Sequence, residues 1–180
     1  MDQNSLTSAK KYAKALFEVL QENNQLEDGY KELQQFRQVF ADNPSLAAVL
    51  SSNQTTKELK QTLVDSLSKG GSDLMKNFIG LLQTYQRFDI ASLIVDEFEK
   101  LYEKDKKIVH ASVTSAVKLD DDQQSKIADA FAHRVGANKV ILSTKVDPDL
   151  IGGIVLQSSD VIIDGSVKSR IDKIKELLLN

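Results

Sequence analysis

The sequence has no cysteine and no tryptophan among its 180 residues. The first absence excludes disulfides, thiolate nucleophiles and cysteine-ligated zinc or iron–sulfur sites. Only two prolines interrupt the chain and aromatic residues make up 6%, a balance that favours helix. No apolar run is long enough for a signal segment or a membrane span, so the chain is expected to be soluble and to reach a membrane only through a partner. A basic excess is missing as well. The net charge is −3, with 12 Lys+Arg against 16 Asp+Glu in residues 1 to 105 and 11 against 10 in residues 106 to 180. Neither part has the footprint of a nucleic-acid binder.

What is present is amphipathic patterning. Ala9, Tyr12, Ala13, Leu16, Phe17 and Leu20 recur at helical spacing, with Lys10, Lys11, Lys14 and Glu18 left for water. Leu26, Tyr30, Leu33, Phe36 and Phe40 form a second stripe that stops before Asn43-Pro44. A short turn, SLAAVL, follows. Thr55-Thr56-Lys57-Glu58 matches a capping box with Thr55 as N-cap, opening a helix that carries Leu59, Leu63 and Leu67 and ends at Gly70-Gly71. Leu74, Phe78, Leu81, Leu82 and Tyr85 make a fifth stripe; Ile90, Ile94, Phe98, Leu101 and Tyr102 make a sixth. The short gaps between them imply an antiparallel bundle.

The period changes after EKDKK. IVHASVTSAV alternates Val109, Ala111, Val113 and Ser115 against Ile108, His110, Ser112 and Thr114, as a strand does. Asp120, Asp121 and Asp122 then provide N-cap candidates for a helix with Ile127, Phe131 and Val135 on its core face and Gly136 as its stop. KVILSTKV, GIVLQ and VIID read as strands, and SVKSRIDKIKELLL as a last helix with Val167, Ile171, Ile174 and Leu178 aligned. The fold class is therefore mainly α: an N-terminal six-helix bundle over residues 1 to 105 and a small α/β domain over residues 106 to 180.

Candidate chemistry concentrates at DPDLIGGIVLQSSDVIIDGSV. Gly152-Gly153 lacks the spacing of a phosphate-binding loop and leads into a strand, so it is read as a backbone bend. Asp164 and Ser166 suggest a small hydrolase or transferase, the alternative function, but no histidine lies near them in sequence; a capped turn into the last helix accounts for the same residues. His110 and His133 stand without a metal-ligand pattern, and the Asp120–Asp122 run lacks the alternation of a calcium loop, so no metal and no cofactor is expected. An RNA-binding adaptor would need basic and stacking residues on the strands that are not there. Lys168 and Arg170 break a local rule, because the macrodipole disfavours cations in a first helical turn. A partner surface and pairing with Asp160, Asp164 or Asp172 both explain them.

Three stretches taken together carry a resemblance over nearly the whole chain. AKKYAKALFEVL, VTSAVKLDDDQ and above all VDPDLIGGIVLQSSDVIIDGSVKSRI resemble, in order, the patterns of the delta subunit family of bacterial F-type ATP synthases, equivalent to the mitochondrial oligomycin-sensitivity-conferring protein. LLQTYQR departs from the family's LLxxNxR by placing Tyr85 at the asparagine. The resemblance implies a non-catalytic stator subunit, not an enzyme, that couples proton flow to ATP synthesis or hydrolysis. It implies that a groove of the first and fifth helices, here Tyr12, Ala13, Leu16, Leu20, Phe78, Ile79 and Leu82, grips N-terminal helices of the alpha subunits of the catalytic head. It implies that the C-terminal domain meets the b subunit of the peripheral stalk around Gly153, Asp164, Gly165, Ser166 and Arg170. The expected location is peripheral, on the cytoplasmic face of a bacterial membrane, with no membrane insertion and no nucleic acid.

Overall fold

The computed structural model describes residues 3–52 and 54–179. Its contacts divide the chain into two compact units, Met1–Tyr102 and Glu103–Asn180.

The first unit is built from α1 (Gln3–Glu22), α2 (Leu26–Asp42), α3 (Leu46–Ser51), α4 (Lys57–Ser68), α5 (Asp73–Thr84) and most of α6 (Ala91–Lys106), with a 3₁₀ turn at Phe88–Ile90 leading into α6. These are the helices that the apolar stripes predict. Four stripes become buried faces: Ala9, Ala13 and Leu20 from α1, Leu33, Phe36 and Phe40 from α2, Phe78, Ile79 and Leu82 from α5, Ile94, Val95 and Phe98 from α6. The α4 stripe does not: Leu59 is exposed, Leu63 and Leu67 are half-buried, and Val64 is the side chain that α4 buries, while Tyr85 of the fifth stripe lies past the end of α5 and is exposed. Burying a side chain of this size stabilises by roughly 1.5–3 kcal/mol. Rings hold the centre together, Phe36 lying 4.7 Å from Phe40 and 5.7 Å from Phe78, and Phe17 6.0 Å from Phe98.

One cap differs from expectation. Thr56, not Thr55, is the N-cap of α4 and accepts from the Leu59 amide. Thr55 donates its hydroxyl to the Val49 carbonyl at 2.8 Å, so it is committed to closing the loop after α3 and cannot form the expected box with Glu58. At α5, Ser72 accepts from the Met75 amide and donates to Glu32 at 2.6 Å, which ties the start of α5 to α2.

The second unit contains β1 (Ile108–Ser115), α7 (Asp121–Val135), β2 (Lys139–Val146), β3 (Ile154–Ser158), β4 (Ile162–Asp164) and α8 (Val167–Leu179), with a 3₁₀ turn at Pro148–Leu150. The sheet order is β2-β1-β3-β4. Strand β1 runs parallel to β2, from Ile108↔Lys139 to Ser115↔Val146, and antiparallel to β3. A parallel pair needs a crossover, and α7 provides it. Asp120 accepts from the Gln123 amide while the Gln123 side chain reaches back to the cap, so the aspartate run does start this helix, which stops at Gly136. Ala111 and Val113 of β1, Leu156 of β3 and Phe131 of α7 form the small core. The apolar line of α8 is different: Val167, Ile171, Ile174 and Leu178 remain exposed.

The α1–α2 hairpin supplies a stability test. A Cβ at Gly29 would sit 2.4 Å from Cδ2 of Leu20, which is itself buried. Overpacking costs about 1–3 kcal/mol, against the about 0.8–1.0 kcal/mol that alanine gains over glycine inside a helix. Gly29→Ala is therefore expected to lower the thermal midpoint of the helical unit, and Leu20→Val in the same chain to recover part of the loss. A midpoint raised by Gly29→Ala alone contradicts this packing.

Candidate functional site

In the first unit α1 and α5 lie side by side around a cavity of about 550 Å³. Tyr12, Ala15, Leu16 and Val19 line it from α1, and Leu74, Asn77, Phe78 and Leu81 from α5; Asn23 and Gln25 also border it. Spacings of three and four residues on both helices turn one apolar stripe of each toward the same space. Val19 and Leu81 are 43% and 46% exposed, so an apolar surface stands open beside a packed core. There is no titratable side chain in this lining besides the Tyr12 phenol, and nothing in it performs acid–base or nucleophilic chemistry. Its shape and apolar character suit an amphipathic helix with anchors at i, i+3, i+4 and i+7.

The sequence-derived groove residues divide in two. Tyr12, Leu16 and Phe78 line the cavity. Ala13, Leu20, Ile79 and Leu82 do not: each is at most 2% exposed and belongs to the bundle core, so the structure corrects their placement to the packing beneath the groove. Ala15, Val19, Leu74 and Leu81 take their place. A signal for them was available in the sequence. Val19 is an apolar residue beside a stripe already wide enough to bury α1, and such surplus marks a second covered surface.

In the second unit the candidate residues meet at one corner. Gly153 has φ +77°, and a Cβ there would lie 2.3 Å from the Gly165 carbonyl oxygen. The Gly165 amide donates to Ile154 at 2.9 Å and the Val167 amide to Gly152 at 3.0 Å, which sews the start of β3 to the entry of α8. Asp164 then accepts from the Ser166 amide at 2.8 Å and from the Ser169 hydroxyl, while the Ser166 hydroxyl accepts from the Ser169 amide at 3.2 Å. Gly153, Asp164, Gly165 and Ser166 are thus brought together, and Arg170 is exposed one turn further along α8.

This geometry disposes of the hydrolase alternative. Ser166 is 1% exposed, with its oxygen engaged as a helix cap, and His110 pairs with Glu103 at 2.6 Å. Among the described residues no group of histidine, aspartate and glutamate has the arrangement of a metal site.

Hydrogen bonds from the Ser169 hydroxyl first, then from Ser166, hold the Asp164 carboxyl down at about 2. That value lies below the about 3.9 of a free aspartate, so the ionised cap contributes its full stabilisation above about pH 4 and loses it as pH falls toward 2. Ser169→Ala is expected to move the Asp164 titration upward, read by carboxyl-carbon NMR; an unmoved midpoint rules out the Ser169 bond as the main cause. Gly153→Ala is expected to destabilise the second unit by at least about 2 kcal/mol, since it adds both a strained φ and a backbone clash. Amide exchange in β3 and β4 would report it, and wild-type protection there would refute the tight corner.

The known proteins agree with one another. A family model described as ATP synthase delta (OSCP) subunit matches residues 9–178. ATP synthase subunit delta of Lactiplantibacillus plantarum is 47% identical over 180 residues, covering 100% of this chain and 99% of that protein. Its counterpart in Latilactobacillus sakei is 46% identical, covering 94% of each. A chain in the mitochondrial ATP synthase hexamer of Toxoplasma gondii shares the fold, with a TM-score of 0.64 at 23% identity over 96% of this chain and 97% of that one. No helix among the described residues is long and apolar enough to cross a membrane. The protein is a structural stator component and not itself an enzyme. By its length of match and its identity to these relatives, the chain belongs to the ATP synthase delta (OSCP) subunit family.

Proposed function

We propose that this subunit links the alpha subunits of the catalytic head to the b subunit of the peripheral stalk, and so couples proton flow to ATP synthesis or hydrolysis. The observation that carries the proposal is the open apolar groove between α1 and α5. An N-terminal helix of an alpha subunit lies in it, its apolar face against Leu16, Val19, Phe78 and Leu81. The helical unit, residues 1 to 105 by composition, serves the head; the α/β unit, residues 106 to 180, serves the stalk through the corner of Gly153, Asp164, Gly165 and Ser166 and through Arg170. The complex holds the subunit at the cytoplasmic face of the bacterial membrane without inserting it.

Physics favours such a division of labour. A stator resists torque, so what matters at each contact is slow dissociation. Two linked contacts raise the effective concentration at each, and the pair holds far longer than either alone.

Leu81→Asp places a charge on the groove wall at an exposed position. The variant is expected to bind a peptide from the alpha-subunit N-terminus at least about tenfold more weakly, equal to about 1.4 kcal/mol, with an unchanged unfolding midpoint. Wild-type affinity would move the alpha contact out of the groove. In membranes stripped of this subunit, the wild-type chain is expected to restore both head attachment and ATP-driven proton pumping. Failure to restore them defeats the coupling assignment.

A further inference from the structure

Helix α4 presents two different sides to two different spaces. Leu63 and Leu67 border Phe36 and Val39 of α2. Lys57, Lys60, Gln61 and Val64, spaced as i, i+3, i+4 and i+7, form another side of the helix. They line a separate cavity of about 380 Å³, set between α3, α4 and the turn from α5 into α6. Its floor is apolar and buried, with Leu50 2% exposed, Val64 5% and Phe88 2%.

Much of the polar wall satisfies itself. Gln83 donates to the Gln61 side chain at 3.0 Å, Gln61 donates to Asp65 at 2.8 Å, and the Thr55 hydroxyl donates to the Val49 carbonyl. The cations do not. Among the described residues Lys57 and Lys60 are the only charged side chains of the lining, and neither forms an ion pair or a side-chain hydrogen bond. The Gln86 side chain also has no hydrogen-bond partner among them. The acids nearest in sequence to the lining, Glu58, Asp65 and Asp89, all lie outside it. Lys60 is half-buried, and a lysine that gives up water without meeting a carboxylate favours an anion from outside. The surplus is local, because residues 1 to 105 hold 16 acids against 12 bases.

We propose that this cavity binds a small organic acid: the carboxylate meets Lys57 and Lys60, and a compact hydrocarbon body lies on Leu50, Val64 and Phe88. The volume falls within the about 300–1,000 Å³ of small-molecule sites. Lysine presents a point charge, which takes a carboxylate without demanding the fork geometry of arginine. A docked helix is a poorer occupant, because three apolar side chains ringed by amides and lysines do not make the long stripe that a helix face needs. The proposal is independent of the stator reading, since no residue that lines the α1–α5 groove lines this cavity.

The probe is octanoate titrated into the full chain, with 1-octanol and octylamine as its neutral and cationic counterparts. Octanoate is expected to give saturable NMR shifts at the Leu50 and Val64 methyl groups, with an affinity at least about tenfold above that of either counterpart, as hydrogen bonds to a charged group allow. This comparison uses the wild-type chain and depends on no variant folding. Lys57→Gln with Lys60→Gln is expected to remove the advantage of octanoate while octanol binding and the unfolding midpoint stay as they were. Lys57→Arg with Lys60→Arg keeps the charge and is expected to keep the advantage. Leu81→Asp alters the groove alone and is expected to leave the Leu50 and Val64 shifts intact. Shifts absent from Leu50 and Val64, equal affinity for octanoate and octanol, or undiminished octanoate binding by the glutamine variant would each overturn the proposal. Loss of octanoate binding in Leu81→Asp would overturn it too, because it puts the ligand in the groove.

Discussion

Phe78 is the residue on which the helical unit turns. Its ring lies 5.7 Å from that of Phe36 and is 1% exposed, yet the same side chain floors the groove between α1 and α5. Core packing and groove are therefore not separate features laid over one another. Interiors packed at crystal-like density have few alternative arrangements, so the position of α5 against α2 fixes where the groove wall stands. The wall is set by the core alone, and a preformed apolar cleft spares the ordering cost that a flexible one would impose on binding.

Most helices of this unit were legible because 3.6-residue periodicity runs through the longer ones and the turns between are short. Which part of a stripe is covered was not legible. On α1, Ala13 and Leu16 look equivalent in sequence, but Ala13 vanishes into the core and Leu16 lines the cavity. The distinction depends on where the neighbouring helix crosses, a tertiary fact that periodicity does not contain. The cap of α4 failed for a similar reason. Two adjacent threonines compete for one role, and the decision falls to the Val49 carbonyl, which needs a donor and takes the Thr55 hydroxyl.

The α/β unit shows the reverse balance. Its turns were read correctly in kind, since glycines followed by a strand and Asp-Gly-Ser before a helical pattern permit few other structures. The close approach of Gly153 to Gly165 was invisible, because two glycines distant in sequence give no sign of facing each other. Exposure of α8 was equally hidden. A stripe at heptad spacing looks the same whether a sheet of the same chain covers it or leaves it open.

The groove and helix α8 differ in what they ask of a partner. The α1–α5 groove is apolar and largely uncharged, so attachment there depends on buried area and is nearly indifferent to salt. Helix α8 instead carries an exposed apolar line with Lys168, Arg170 and Lys175 close by, so a contact there would depend on charges that water and ions screen. Two surfaces with such opposite requirements are poor substitutes for one another, because what strengthens a contact at one does little for a contact at the other.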